Sequence, residues 1–249
     1  MSSRVRFLAC VFAGWLAVAC HEVPVARAAS GPLQPHKVLF VGNSFSYYNN
    51  SLHNHYRKLV RAAHGVEWQG SARSMTISGA HMAEHRGGLR QRLAEQSFDA
   101  VVLQGHSLEA LNNFARFESA VTEYAGWIRR HGAQPVLFMT WAYTLRPGMT
   151  ERLERAYNQL GEQLDAMVVP VGSAFSRVTA ERPDLLLRMA DKRHPTLAGT
   201  YLAACTMFGA LHGQSPVGLA YTADLSETDA SYLQLAAWQT LQALQDRSR

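Results

Sequence analysis

Short apolar runs recur along the chain, separated by segments in which apolar residues lie three or four positions apart. The runs predict β-strands at residues 38–41, 100–104, 136–140 and 167–171, and a weaker one at 66–69. Runs that are apolar at every position are typical of parallel strands covered on both faces. They therefore predict a parallel sheet of about five strands.

The intervening segments have the spacing of amphipathic helices. They predict helices at residues 51–64, 86–96, 115–131 and 150–164, with two more at 197–211 and 227–244. This alternation indicates one α/β domain with helices on both faces of the sheet. Ligands of such folds bind at the carboxyl ends of the strands, where we expect Ser44, His106, Trp141 and Tyr143 to converge.

Residues 1–28 have the layout of a secretory signal peptide, because Arg4 and Arg6 precede an uncharged stretch of about 14 residues. A membrane-spanning helix needs roughly 20 apolar residues, so this stretch favours a cleaved signal over a permanent transmembrane anchor. A small-x-small cleavage site ends at Ala28, whereas Cys20 ends a segment that loosely resembles a lipoprotein box. We expect an exported protein, periplasmic or secreted, with a single domain over residues 29–249. Lipidation at Cys20 is the open alternative.

Composition narrows the function classes. An apolar content of 47% with 17% charged residues is that of a globular domain. The formal charge of +5 is not gathered into a basic run or stripe, so we expect no nucleic-acid partner. Beyond residue 28 the only cysteine in the sequence is Cys205. A single cysteine excludes a disulfide framework within the chain, and its apolar surroundings predict a small buried thiol.

Ser44 is the candidate nucleophile. It follows the apolar run 38–41 in the segment Gly42-Asn43-Ser44, and a glycine beside it relieves crowding in a tight strand-to-helix turn. A serine hydroxyl needs a base to take its proton and donors to hold the oxyanion. The alternative is that Asn43 or Ser44 merely caps a helix.

Asp191 and His194 are the candidate acid and base. Three residues apart on a turn, the carboxylate can bond one ring nitrogen and leave the other for the serine proton. Pro195 suits the start of a following helix. The alternative is that Asp191 is a helix cap and His194 a surface residue.

These two segments resemble the first and last blocks of the SGNH (GDSL-type) hydrolase superfamily, in particular an exported bacterial branch with a Gly-Asn-Ser start. The resemblance covers residues 37–219. It implies a flavodoxin-like three-layer α/β/α fold, with Ser44 as nucleophile and Asp191 and His194 as acid and base. It also implies an oxyanion hole built from the N–H of the serine, a glycine N–H and an asparagine side chain.

The middle blocks match less well. Gly79 is the candidate for the glycine, with a plain turn glycine as the alternative. No Gly-x-Asn-Asp follows the third predicted strand; the chain has Gln104-Gly105 there, similar to carbohydrate-esterase branches of the superfamily. We expect the Gln104 amide to replace the asparagine, unless backbone groups occupy it. His106 has no acidic residue beside it, so we expect it only to shape the pocket.

Two histidine pairs, His53/His55 and His81/His85, have spacings that could hold a metal ion, but no third ligand is evident. Phosphate-loop and dinucleotide motifs are absent from the sequence, so we expect neither metal nor cofactor. The sequence thus predicts an exported serine esterase acting on a small-molecule or glycan ester, with O-acetyl groups on a carbohydrate favoured. A non-catalytic ligand-binding domain of the same fold and a glycan O-acyltransferase are the alternatives.

Overall fold

The computed structural model describes residues 31–146 and 148–247, so the predicted signal peptide and Cys20 lie outside the described residues. Five parallel strands form one sheet in the order β2-β1-β3-β4-β5. The strands are β1 (Lys37–Gly42), β2 (Ser71–Thr76), β3 (Ala100–Leu103), β4 (Gln134–Phe138) and β5 (Met167–Val169). This is the flavodoxin-like strand order, and the predicted α/β fold is confirmed.

Helices cover both faces of the sheet. They are α1 (Ser44–Tyr47), α2 (Leu52–His64), α3 (Arg86–Glu95), α4 (Glu109–Asn112), α5 (Phe114–Arg130), α6 (Met149–Leu164), α7 (Val171–Glu181), α8 (Leu197–His212) and α9 (Glu227–Arg247), with a 3-10 turn at Met82–His85. None of the helices in the described part of the chain is both long and apolar enough to cross a membrane.

Alternation along the strands divides the core into two clusters. In β1, Val38 and Phe40 pack with α2, α7, α8 and α9, whereas Leu39 and Val41 pack with the helices α3, α5 and α6. Successive side chains of a strand point to opposite faces, so an apolar run fills both clusters at once. The result is the three-layer arrangement.

Two strands and one helix differ from the sequence prediction. The second strand lies at Ser71–Thr76 and not at 66–69, because it is an edge strand paired with β1 and only partly buried, which does not require an apolar run. The fifth strand ends at Val169 and not at 171. Helix α7, which periodicity did not predict, begins at Val171 directly after Pro170.

The strand order reverses at β1. The chain passes from β1 to β2 on one side and then returns to β3 on the other, so Val41 pairs with Met75 and with Leu103. Loops that leave the carboxyl ends of β1 and β3 therefore diverge, and a crevice opens between them. Ser44 lies at this point.

Candidate active site

Ser44 is the first residue of α1 and follows β1 after a single residue. Asn43 caps this short helix, its side-chain oxygen accepting the Phe45 N–H at 3.2 Å. The Ser44 residue is 8% exposed, and its N–H has no acceptor among the described residues. Ser44 thus lines the crevice with a nearly buried side chain and has an N–H without a partner among the described residues.

Residue 42 must be glycine because neighbouring side chains leave no room for a Cβ, and not because of its backbone conformation, since its φ is not positive. An added Cβ would overlap Gln104 Oε1 and lie 2.9 Å from Ser46 Oγ. The side chain of Gln104 therefore lies directly against the backbone that leads to Ser44.

That packing corrects the expectation for Gln104. Its Oε1 accepts from Asn43 N–H and from Ser46 Oγ, each at 2.9 Å, while its Nε2 donates to Asn43 Oδ1 at 3.0 Å and to the Gly105 carbonyl. The residue is 1% exposed and does not line the cleft beside Ser44. Because both amide hydrogens are already bonded, Gln104 holds the serine turn and has no donor left for an oxyanion.

The segment 189–195 places the acid and the base. Lys192 has a φ of 67°, a left-handed conformation that folds the turn back so that Asp191 Oδ1 accepts the N–H groups of Arg193 and His194, each at 3.0 Å. The other carboxylate oxygen bonds His194 Nδ1. Against an opposing contribution from burial, these hydrogen bonds lower the pKa of Asp191 to about 2.

The His194 imidazole connects the Asp191 carboxylate with the Ser44 hydroxyl. His194 Nε2 lies 2.9 Å from Ser44 Oγ, while its Nδ1 is bonded to the Asp191 carboxylate. The structure therefore brings together the three residues that the sequence singled out, in the order hydroxyl, imidazole, carboxylate. This arrangement can deprotonate a serine and stabilise the resulting imidazolium.

Aromatic side chains fix the base. The Tyr48 ring stacks on His194 with centroids 4.6 Å apart, and Phe45 contacts the same imidazole edge-on at 5.8 Å. Trp141 is fully buried between Phe45 and Phe175, and its indole N–H donates to the Arg193 carbonyl at 2.8 Å. Trp141 therefore supports the turn and does not line the cleft.

Asn49 is a further link that sequence reasoning missed. Its side-chain amide donates to the Pro195 carbonyl at 2.9 Å and to Thr200 Oγ1 at 2.8 Å, joining the nucleophile segment to the base segment. Residues 49–51 all have positive φ, and asparagine tolerates this conformation better than most residues. The pair Asn49-Asn50 before a predicted helix was the available signal.

The cleft beside Ser44 and His194 has a volume of about 200 Å³. Its lining is aromatic and polar, and includes Tyr47, Tyr48, Ser78, Gly79, His106, Ser107, Tyr143 and Arg193. Gly79 has a φ of 67°, and its N–H has no acceptor among the described residues. The lining of the cleft thus includes two residues, Ser44 and Gly79, whose N–H groups have no acceptor among the described residues.

One member of the His53/His55 pair is occupied by other hydrogen bonds. His55 Nε2 lies 2.6 Å from the Asn49 carbonyl oxygen and its Nδ1 2.7 Å from Tyr221 Oη, which occupies both ring nitrogens. Within residues 31–146 and 148–247, no three potential metal ligands meet at one point. Cys205 is buried inside α8, and burial raises the pKa of its thiol, as befits a packing residue.

The sequence matches no protein-family model and no curated protein. Solved structures do resemble it. A candidate SGNH hydrolase from Slackia heliotrinireducens aligns over 70% of this chain and 98% of its own, with a TM-score of 0.61 and 25% identity. A DUF4886 family protein from Bacteroides uniformis aligns over 83% and 94%, with a TM-score of 0.66 and 17% identity. The acetyl xylan esterase AlAXEase aligns over 70% and 99%, with a TM-score of 0.58 and 14% identity. The structural neighbours of this chain therefore include SGNH hydrolases.

Proposed function

We propose that the protein is a serine esterase of the SGNH type. The observation that carries the proposal is the continuous chain of hydrogen bonds from Ser44 Oγ through the His194 ring to the Asp191 carboxylate, at the edge of a cleft. An isolated helix-capping serine would not need a histidine held by a carboxylate. The likeness to SGNH hydrolases supports the same conclusion from the fold.

In this proposal Ser44 Oγ forms a bond to the carbonyl carbon of an ester while its proton passes to His194 Nε2. The carbonyl electrons move onto oxygen, and the N–H groups of Ser44 and Gly79 stabilise that negative charge. Collapse of the tetrahedral species breaks the bond to the alcohol, which receives the proton from His194. Water then repeats the sequence at the acyl-enzyme and releases the acid. Asp191 keeps the imidazole in the tautomer that accepts at Nε2.

For the substrate we propose a short acyl ester on a carbohydrate, such as an O-acetyl group. The cleft volume of about 200 Å³ is below the roughly 300–1,000 Å³ of pockets that hold drug-sized ligands, which favours a short acyl group. Tyr47, Tyr48 and Tyr143 provide rings and hydroxyls of the kind that contact sugars. The esterase activity on acetyl xylan named for one structural neighbour agrees with this class.

A fluorophosphonate probe tests the catalytic claim. We expect it to attach to Ser44 of the wild-type protein, located by intact and peptide mass, and not to Ser44→Ala. Ser78→Ala, which removes another serine of the same cleft, is the matched control and should keep the label. Turnover of Ser44→Ala should fall by at least about 10⁴-fold with the fold unchanged. An unlabelled, well-folded wild type would instead favour the non-catalytic binding domain.

Acetate release from acetylated xylo-oligosaccharides tests the substrate class, compared with hydrolysis of nitrophenyl acetate and nitrophenyl decanoate. We expect kcat/KM to fall as the acyl chain lengthens. A preference for decanoate would contradict the proposal. Adding an acceptor sugar to the same assay measures transfer against hydrolysis, and acyl transfer exceeding acetate release would identify an O-acyltransferase.

We also propose that the protein is exported, on the strength of residues 1–28 alone. Expression of the full chain in a bacterial host, followed by cell fractionation and intact-mass measurement, distinguishes cleavage near residue 28 from lipidation at Cys20. A mature chain beginning near residue 29 supports a soluble exported protein. A lipid-modified chain beginning at Cys20 would support the lipoprotein alternative, and an unprocessed cytoplasmic chain would contradict export.

A further inference from the structure

The cleft contains an imidazole that the proposed reaction has not used. After β3 the chain turns at Gln104 and Gly105, and the next side chain, His106, lines the same cleft as Ser44 and His194. The following residue, Ser107, pairs its hydroxyl with that of Tyr143. With the Gln104 amide turned inward, His106 is the first side chain after β3 that can donate a hydrogen bond into the cleft.

Close packing brings His106 to this position. A Cβ on Gly105 would lie 2.6 Å from a ring carbon of Phe117 on α5, so only glycine lets the chain pass there. The His106 ring then stacks on His81, with centroids 4.7 Å apart and an interplanar angle of 23°. The imidazole is therefore held both by its backbone and by a neighbouring ring.

A buried carboxylate joins the two loops that face Ser44. Glu109 is 1% exposed, and its Oε2 accepts the His106 N–H at 3.1 Å and the Met82 N–H at 3.0 Å. Its Oε1 lies 3.4 Å from His81 Nδ1. A buried carboxylate is costly unless it is bonded in this way. Glu109 thus fixes the His106 loop relative to the loop that carries Gly79.

Hydrogen bonding also selects the tautomer of His106. The Leu108 N–H donates to His106 Nδ1 over a long 3.4 Å bond, which makes Nδ1 the acceptor and leaves the hydrogen on Nε2. Burial first, and then the charges of His81 and Arg193, lower the pKa of His106, against the opposing charges of Glu109 and Glu84. A neutral ring with Nε2–H is a hydrogen-bond donor at neutral pH.

We propose that the Nε2–H group of His106 is the third donor to the oxyanion, beside the N–H groups of Ser44 and Gly79. Glu109 is the positioning residue that holds this donor and the Gly79 loop in one arrangement. The inference rests on the proposed esterase function and adds to it a residue that sequence reasoning assigned only to pocket shape. His106 takes the role expected for the Gln104 amide, both of whose hydrogens are bonded to Asn43 and Gly105.

The experiment measures kcat and KM for nitrophenyl acetate in His106→Phe, His106→Asn and Glu109→Gln. Removing one oxyanion donor costs on the order of 10²–10³ in rate, so we expect that loss of kcat in His106→Phe, with KM changed less than about threefold. His106→Asn, which retains an N–H donor, should recover at least about tenfold over the Phe variant. His131→Phe, at the end of α5, is the matched control and should match the wild type.

Affinity for a boronic acid, which forms a tetrahedral adduct on an activated serine, separates oxyanion stabilisation from loss of fold. In His106→Phe and Glu109→Gln we expect this affinity to fall in parallel with kcat while the melting temperature of His106→Phe stays near that of the wild type. The pH midpoint of kcat/KM should not move in His106→Phe, because the base is His194 and not His106.

Full activity of His106→Phe in an enzyme that depends on Ser44 would overturn this inference and leave the esterase function intact. Loss of the acidic limb of the pH profile in that variant would also overturn it, because that limb reports protonation of the base and His106 would then be the base. Retained activity of Ser44→Ala would instead contradict the esterase function itself. The two failures are therefore distinguishable.

Discussion

Replacing Gly42 with alanine is expected to destabilise the protein and to slow catalysis together. The added Cβ would overlap Gln104 Oε1 and lie 3.0 Å from Gln104 Cβ and 2.9 Å from Ser46 Oγ. None of these atoms is the free end of a flexible surface side chain. Gln104 and Ser46 are 1% and 2% exposed, so neither can move into solvent.

The magnitude follows from what must shift. Overpacking a well-filled interior costs about 1–3 kcal/mol. If Gln104 moves to make room, its Oε1 loses the bonds from Asn43 N–H and Ser46 Oγ, each worth about 1 kcal/mol. Together these costs are about 3–5 kcal/mol, and the smaller unfolded-state entropy of alanine offsets up to about 1 kcal/mol, so we expect Gly42→Ala to lower the free energy of unfolding by about 2–4 kcal/mol. Because Asn43 leads directly to Ser44, kcat should fall as well.

Urea denaturation monitored by circular dichroism measures the change, beside kcat for nitrophenyl acetate. Gly87→Ala on α3 is the matched control, because its added Cβ meets nothing within 4 Å. Alanine in a helix has less unfolded-state entropy than glycine, so the control should gain up to about 1 kcal/mol. A Gly42→Ala protein with a free energy of unfolding within about 0.5 kcal/mol of the wild type would refute the packing argument.

Two further predictions concern the base. The unfolded Asp191 carboxyl takes up a proton below about pH 4 and the native one only near pH 2, so its stabilising effect is present above pH 4 and is lost as pH falls towards 2. Asp191→Asn should lack this part of the slope in urea denaturation against pH, and an unchanged slope would contradict it. Asn49→Ala should lower kcat by roughly tenfold by releasing the Pro195 carbonyl, and Asn49→Gly, which accepts positive φ, should lose as much activity but less stability. Full activity of both variants would exclude Asn49 from positioning the base.

The fold followed from the chain where apolar runs are buried on both faces. The ends of β1, β3 and β4 lie within two residues of their predicted positions, because a central strand is covered on both faces and its apolar run is easy to recognise. The edge strand β2 was misplaced because Ser71–Thr76 needs only backbone pairing with β1. Helix α7 was missed because the apolar run of β5 continues into its first turn.

In the site, contacts between residues close in sequence could be predicted, whereas contacts between residues far apart in sequence could not. The interval between Asp191 and His194 predicts their contact, because a turn of three residues leaves few other arrangements. By contrast, three of the four hydrogen bonds of the Gln104 side chain are made with Asn43 and Ser46, which follow β1 and lie 61 and 58 residues earlier. The acidic residue that holds the His106 loop was also close in sequence, but its contact through the backbone N–H is not visible from spacing.

The sequence by itself determined a parallel α/β domain and a serine, a histidine and an aspartate suited to nucleophilic chemistry, because periodicity and local spacing are properties of neighbouring residues. Only the tertiary structure decided that Ser44 and His194, 150 residues apart, lie 2.9 Å from each other. It also decided which donors face the cleft, since Gln104 turns inward and His106 turns outward. The direction of each of these side chains depends on the packing of elements that are distant in sequence. It is therefore fixed only when those elements have come together in the folded protein.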